Sequence, residues 1–191
     1  MAIFIVGLFT FFGAHLFSAL ARGPRAAIVE KIGEGPYKGV YSLISIVGFA
    51  LFVWGWPRAD KTVLYVSNFN FVYVAYALMF VALIMLAAAY MPRGRIAHAV
   101  KHPMLAAVKT WAFAHLLVNG DVRSLILFGS FLAYGVIDRI AVKRRGAPIP
   151  EKGPAINDLW VVIAGAGAWI LILVYLHKYI AGVRLYLPFG A

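Results

Sequence analysis

Residues 102–121 read HPMLAAVKTWAFAHLLVNGD. The stretch opens on His102-Pro103, with proline where the first position of a helix favours it. It closes on Asn119-Gly120-Asp121, a turn signal. The run between is apolar enough to lie in a bilayer, yet it holds Lys109 and His115. Ionisable groups inside a membrane segment are costly, so each is a candidate functional group. Two questions decide fold and function together: whether the rest of the chain is also built for a membrane, and which other side chain His115 meets.

Composition answers the first. Of the 191 residues 63% are hydrophobic and the mean hydropathy is +0.86, against roughly 45–50% apolar residues in ordinary soluble domains. One soluble core of this size has no use for that much apolar surface, so the natural solvent is lipid. There is no cysteine, which excludes disulfides, thiolate metal sites, covalently attached c-type haem and cysteine nucleophiles. The net charge of +11 invites comparison with nucleic-acid binders. The basic residues sit in loops between apolar runs, however, which is an orientation signal for a membrane protein, and no nucleic-acid partner is expected.

A membrane helix needs about 20 apolar residues, within a range of roughly 17–25. Runs of that kind cover residues 2–21, 40–56, 69–91, 122–142 and 159–180, and the shorter run 103–118 lies among them. The first run ends in Ala19-Leu20-Ala21, which resembles a signal-peptide cleavage site, but no basic residue precedes it and it is long enough to span; a retained helix is expected. Twelve Lys and Arg fall in the loops after the first and third runs or around the end of the fifth, Arg139 among them, and five on the opposite side, with Lys109 inside a run. Odd loops in the cytoplasm and both termini outside follow. The expected fold is all-α: a polytopic membrane bundle of about six transmembrane helices, forming one domain over residues 1–191.

Residues 25–31 read as a short basic segment lying on the membrane surface, and Gly33-Glu34-Gly35-Pro36-Tyr37 as a turn. Tyr41, Ser42, Ser45 and Gly48 start the second span with small residues at helical spacing. Ala164-Gly165-Ala166-Gly167-Ala168 repeats the device in the last span, so that neighbouring helices approach closely. Residues 144–157, with three prolines, form a connector.

Five histidines are present. His15 lies nine residues before Pro24, about 13 Å along a helix, and His115 twelve residues after Pro103, about 18 Å, at 1.5 Å per residue. The two fall within several Å of one depth, a difference that helix tilt closes. The plain alternative for each is a neutral imidazole hydrogen-bonded to a neighbouring helix. His102 suits the N-cap of its helix and the interface; it stands about 20 Å from His115 on one helix, too far for both to bind one metal. It is the reserve ligand. His98 sits in a basic loop and His177, before Lys178, at an interface. Every Asp and Glu falls in a loop or at a span end, so a proton-relay transporter is disfavoured. Two imidazoles without acidic partners suit haem iron better than zinc, which takes three or four ligands. Trp111, Phe11 and Phe12 are expected to line such a macrocycle, and Lys101, Arg93 and Arg95 to pair with its propionates or with lipid phosphates.

His15, Gly33 to Tyr37 with Tyr41-Ser42, Trp54-Gly55, His102-Pro103-Met104, Ala114-His115-Leu116 and Asn119-Gly120-Asp121 together resemble the NnrU family of bacterial membrane proteins over nearly the whole chain. The resemblance implies the bacterial inner membrane and a link to nitrite and nitric oxide metabolism. More distantly the chain is similar to 15-cis-zeta-carotene isomerase, which implies haem b held by His15 and His115. That enzyme has a cysteine three residues before its second histidine, where this chain has Ala112. A partial match, Lys101-His102-Pro103, resembles isoprenylcysteine methyltransferases and implies S-adenosylmethionine; their later acidic cluster is missing from the tail after Ala181. The expectation is a haem b-binding membrane protein, with metal ligands His15 and His115 and with Trp111 and Lys101 at the cofactor. The alternatives are a haem-dependent isomerase of a carotenoid-like polyene or lipid substrate, an assembly partner for a denitrification reductase, and a methyltransferase.

Overall fold

Glycines set where the first two long helices meet. In the structure, a computed structural model that describes residues 1–185, α1 (Ala2–Leu20), α2 (Arg22–Ile32) and α3 (Glu34–Gly55) follow one another. A Cβ on Gly48 would lie 2.5 Å from the backbone N of Phe11, and one on Gly55 2.5 Å from the backbone N of Phe4. Gly7 of α1 meets the Phe52 backbone in the same way. The pairing is antiparallel: Phe4 opposite Gly55 and Phe11 opposite Gly48, a large residue set into a notch on the facing helix. Lipid offers no hydrophobic reward for bringing helices together, so contact at this range, through dispersion, holds the pair. The rings of Phe4, Phe12 and Phe52 are buried there.

After a 3-10 turn at Trp56–Arg58 come α4 (Asn70–Tyr90), α5 (Arg95–Val100), α6 (Pro103–Val118), α7 (Val122–Arg144) and α8 (Ala155–Leu171). A π-helical segment, Ile172–Leu176, and α9 (His177–Ala181) end the order. Among the described residues five stretches are long and apolar enough to cross a membrane: Ala2–Leu20, Glu34–Arg58, Asn70–Tyr90, Val122–Arg144 and Ala155–Ala181. At most 28% of any of their apolar windows is buried within the protein, so most of that surface faces outward, where lipid must cover it. α6 has 16 residues, about 24 Å, short of a hydrocarbon core of about 30 Å. The fold is an all-α polytopic membrane bundle, and residues 186–191, the end of the acid-free tail, lie outside the described residues.

Two boundaries differ from expectation. Gly33 to Tyr37 is not a turn: Gly33 alone turns the chain, at φ 87° and ψ 157°, a conformation essentially confined to glycine. Glu34 then starts α3, where its charge suits the helix N-terminus and pairs with Lys38 at 2.9 Å. Pro36 falls in the first turn, where no N–H is needed. The last span starts at Ala155, directly after the extended Pro154, and its far part is π-helical rather than regular.

Contacts divide the described chain into two compact units, one of residues 1–68 and 115–147, the other of 69–114 and 148–185. In the first, α7 adds Phe131 to the seam, its ring 4.9 Å from Phe12 and 6.2 Å from Phe52. The loop after α3 is tied to the α6–α7 turn. Leu64 N–H donates to the Gly120 carbonyl (2.8 Å) and Val122 N–H to that of Thr62 (3.0 Å). Thr62 donates through its N–H (2.9 Å) and hydroxyl (2.7 Å) to Asp60, which holds that carboxyl below its usual range. The hydroxyls of Tyr65 and Ser67 donate to the Leu116 and Leu117 carbonyls at the end of α6, and Tyr65 also to Asn119. Asp121 caps α7 by accepting from Ser124 N–H (3.1 Å) and hydroxyl (2.7 Å). In the second unit Gly165 of α8 admits Ile84 of α4; a Cβ there would lie 2.7 Å from the Ile84 Cα. Trp169 donates to the Tyr76 carbonyl at 3.1 Å.

Gly48→Ala therefore lowers the thermal midpoint of the detergent-solubilised protein by several degrees, the effect of about 1–3 kcal/mol of overpacking. Gly13→Ala, with nothing within 4 Å of its new methyl, leaves the midpoint unchanged or raises it. Tyr65→Phe removes the phenolic donor to the end of α6 and costs about 1 kcal/mol, read in the same melting experiment.

Candidate functional site

His15 is four residues beyond Phe11 on α1, one turn past the Gly48 notch. Its Nδ1 is 2.7 Å from the Phe11 carbonyl oxygen. A carbonyl only accepts, so Nδ1 carries a proton, and in the neutral imidazole Nε2 then keeps its lone pair. The ring stacks on Phe11 at 4.1 Å and 29°. Tyr41 of α3 stands 5.3 Å away and Tyr134 of α7 5.6 Å away, perpendicular to it. Three helices thus close around one half-buried imidazole.

The polar contacts continue along α7. The Tyr134 hydroxyl donates to Asp138 Oδ2 at 3.4 Å, and Asp138 Oδ1 lies 3.9 Å from Arg145. The side chain of Asp138 is 15% exposed. It lies in the C-terminal third of α7. Tyr37 adds a second link between helices, its hydroxyl 3.3 Å from Ser18 Oγ and its ring under the Arg25 guanidinium. The site-forming roles of Tyr41, Tyr134 and Asp138 were not read from the sequence. The available signal was Tyr134 and Asp138 four apart within an apolar run, hence on one helix face.

His115, on the last turn of α6, belongs to the same unit as His15. Its ring stacks on Phe128 of α7 at 4.6 Å and 25°. Phe128, Phe131 and Tyr134 recur every three residues on α7, so His115 meets the first ring of that stripe and His15 the third. These rings are about 9 Å apart along the helix axis. Phe131, between them, packs on Phe11 and Phe12. Phe128 faces Trp56 at 6.5 Å, and the Arg123 guanidinium lies 4.4 Å over the Trp56 ring.

The remaining candidates lie in the second unit. Trp111 is half-buried on α6 and Lys109 is likewise half-buried; Lys101 is exposed. His102 precedes α6 and its carbonyl accepts from Ala106 N–H at 3.1 Å, the N-cap role expected of it. His98 is exposed and bonds through Nδ1 to the Pro150 carbonyl at 2.9 Å. His177 does the same with Val183 at 2.9 Å. Among the described residues no group of three or more His, Asp or Glu is placed to hold a metal ion.

Neither the curated proteins nor the solved structures contain a match to this chain. A family model does match: the one described as NnrU protein, over residues 3–185. With that match covering nearly its whole length, this multi-pass membrane protein belongs to the NnrU family.

Proposed function

We propose that the first unit binds haem b, with His15 and His115 as the iron ligands, in an NnrU-type protein of the bacterial inner membrane that serves nitrite or nitric oxide metabolism. The observation that carries this reading is the His15 imidazole. Its Nδ1–H is fixed by the Phe11 carbonyl, the outer-shell arrangement that sets the tautomer of a metal-binding histidine and leaves Nε2 as donor. His115 supports it by lying in the same unit and against the same stripe of α7. Two imidazoles and no thiolate form the donor set of a bis-histidine haem, whereas zinc would ask for three or four ligands.

The fit is one of donor chemistry and tautomer. At the rung between the histidines the rings of Phe12 and Phe131 are in contact, so room for a macrocycle has to come from those rings turning aside. Haem b, when bound, supplies one-electron redox chemistry. The chain supplies the rest. Phe11 orients one ligand, the Phe stripe excludes water, and Tyr134 with Asp138 places a hydrogen-bonded acid beside His15.

One observation favours a second reading. The His15 ring already has three aromatic neighbours and a hydrogen bond, which suits an imidazole serving only to join α1, α3 and α7. The protein is then a cofactor-free assembly partner for a denitrification reductase.

Absorption spectra of the purified protein, oxidised and reduced, after expression with ample haem separate the two. Haem binding gives a Soret band that His15→Ala and His115→Ala each abolish or shift and that His98→Ala leaves unchanged. A pure, folded protein without a Soret band rules out the haem reading and leaves the assembly role, in which gene deletion impairs reductase maturation.

A further inference from the structure

A cavity of about 470 Å³ lies in the second unit where α4, α5 and α6 come together with the connector that follows α7. Its polar rim is Arg93, Lys101 and His102, and among the described residues no Asp or Glu lines it. Its apolar part includes Met91, at the end of α4, and Leu105, in the first turn of α6. The wall is tied in place: Asn157 donates to the Arg93 carbonyl at 2.7 Å, and His98 bonds the Pro150 carbonyl at 2.9 Å. Of the acids nearby, Glu151, next to the lining Pro150, is exposed and is not among the residues that line the cavity, and Asp158 is committed elsewhere. Asp158 accepts the N–H groups of Arg95 and Ile96, at 3.0 Å each, and so caps α5.

We propose that this cavity binds the phosphate group of an anionic amphiphile, with the headgroup of a membrane phospholipid as its source. Arg93 and Lys101 form no ion pair among the described residues. Two full charges at the mouth of an acid-free cavity call for an anion. The start of α6 adds to the field: Pro103 has no N–H, Ala106 N–H goes to His102, and the amides of Met104 and Leu105 lie at the positive end of a 16-residue helix. The apolar part continues from the end of a membrane-crossing helix, which suits an acyl chain and gives a free phosphate ion nothing to contact.

Lys101 makes a sharp test available. It has φ 68° and ψ −47°, and His102 N–H closes a three-residue turn on the Val100 carbonyl at 2.8 Å. This conformation is strained for any residue with a Cβ and relaxed for glycine. Lys101→Gly therefore removes the cation while easing the backbone, so its effects on binding and on folding have opposite signs.

The full chain, delipidated in non-ionic detergent, is titrated with phosphatidylglycerol, phosphatidylcholine and inorganic phosphate and followed by native mass spectrometry. One phosphatidylglycerol per chain is expected, held at least tenfold more tightly than phosphatidylcholine. Lys101→Gly and Arg93→Gln each weaken it about fivefold, the share of one cation near a headgroup. Lys101→Gly also keeps or raises the thermal midpoint, and Arg22→Gln, an equal charge loss on α2, changes nothing. Inorganic phosphate that binds as tightly as the lipid assigns the same phosphate site to a free anion. Equal retention of the two lipids, or unchanged phosphatidylglycerol binding in both cavity variants, overturns the proposal.

Discussion

The approach of α1 to α3 at backbone range is the contact on which the first unit depends. A side chain at Gly7, Gly48 or Gly55 would have to occupy space already filled by the opposite main chain. In lipid the loss of that contact is not offset by hydrophobic burial elsewhere, because an exposed apolar helix face is already well solvated by acyl chains. The three notches also fix register. Phe4 opposite Gly55 and Phe11 opposite Gly48 repeat at the same interval on antiparallel helices, so a slide along the axis would set rings against rings.

That register places the polar groups. His15 follows Phe11 by one turn, and Tyr41 precedes Gly48 by about two turns on the antiparallel partner, so a seam that admits Phe11 at Gly48 brings the imidazole beside the phenol. Tyr134 is delivered separately, by α7 packing Phe131 against Phe11 and Phe12. The site is thus a by-product of two apolar packings, and its acid, Asp138, comes with α7. Asp138 is largely buried on that helix, where an isolated carboxylate is costly; Arg145 and the Tyr134 hydroxyl offset that cost.

Much of this was legible in the sequence. All six apolar runs are helical, and apart from the starts of α3 and α8 their limits fall within a few residues of those expected, since length and hydropathy are what a bilayer selects. Gly48 and Gly165 were readable as close-approach positions because small residues cluster around them; Gly7 and Gly55 stand among large residues and gave no such signal. The reading of Gly33 to Tyr37 failed because glycine and proline mark helix starts as well as turns, and only the φ of Gly33 distinguishes them. His15 and His115 were visible as polar groups in apolar runs. What charge patterning leaves unwritten is which helices meet, so neither the Tyr41–Tyr134–Asp138 surroundings of His15 nor the cavity at Arg93 and Lys101 was open to it.

The balance of charge connects the two units without reference to their arrangement. The chain has seven acids against eighteen Lys and Arg. Asp60 orders Thr62, Asp121 caps α7, Asp158 caps α5, and Asp138 belongs to the His15 network. Glu34 pairs with Lys38 at the surface. Of the seven acids these five are already committed, Glu30 and Glu151 form no ion pair among the described residues, and only Lys38, Arg123 and Arg145 among the cations do. A polybasic surface beside a bilayer is neutralised by lipid phosphates, at about 1 kcal/mol for each cation near the headgroups. The excess of positive charge that at first invites comparison with nucleic-acid binders is then a property of the membrane boundary, and the cavity at Arg93 and Lys101 is where that general attraction acquires a shape.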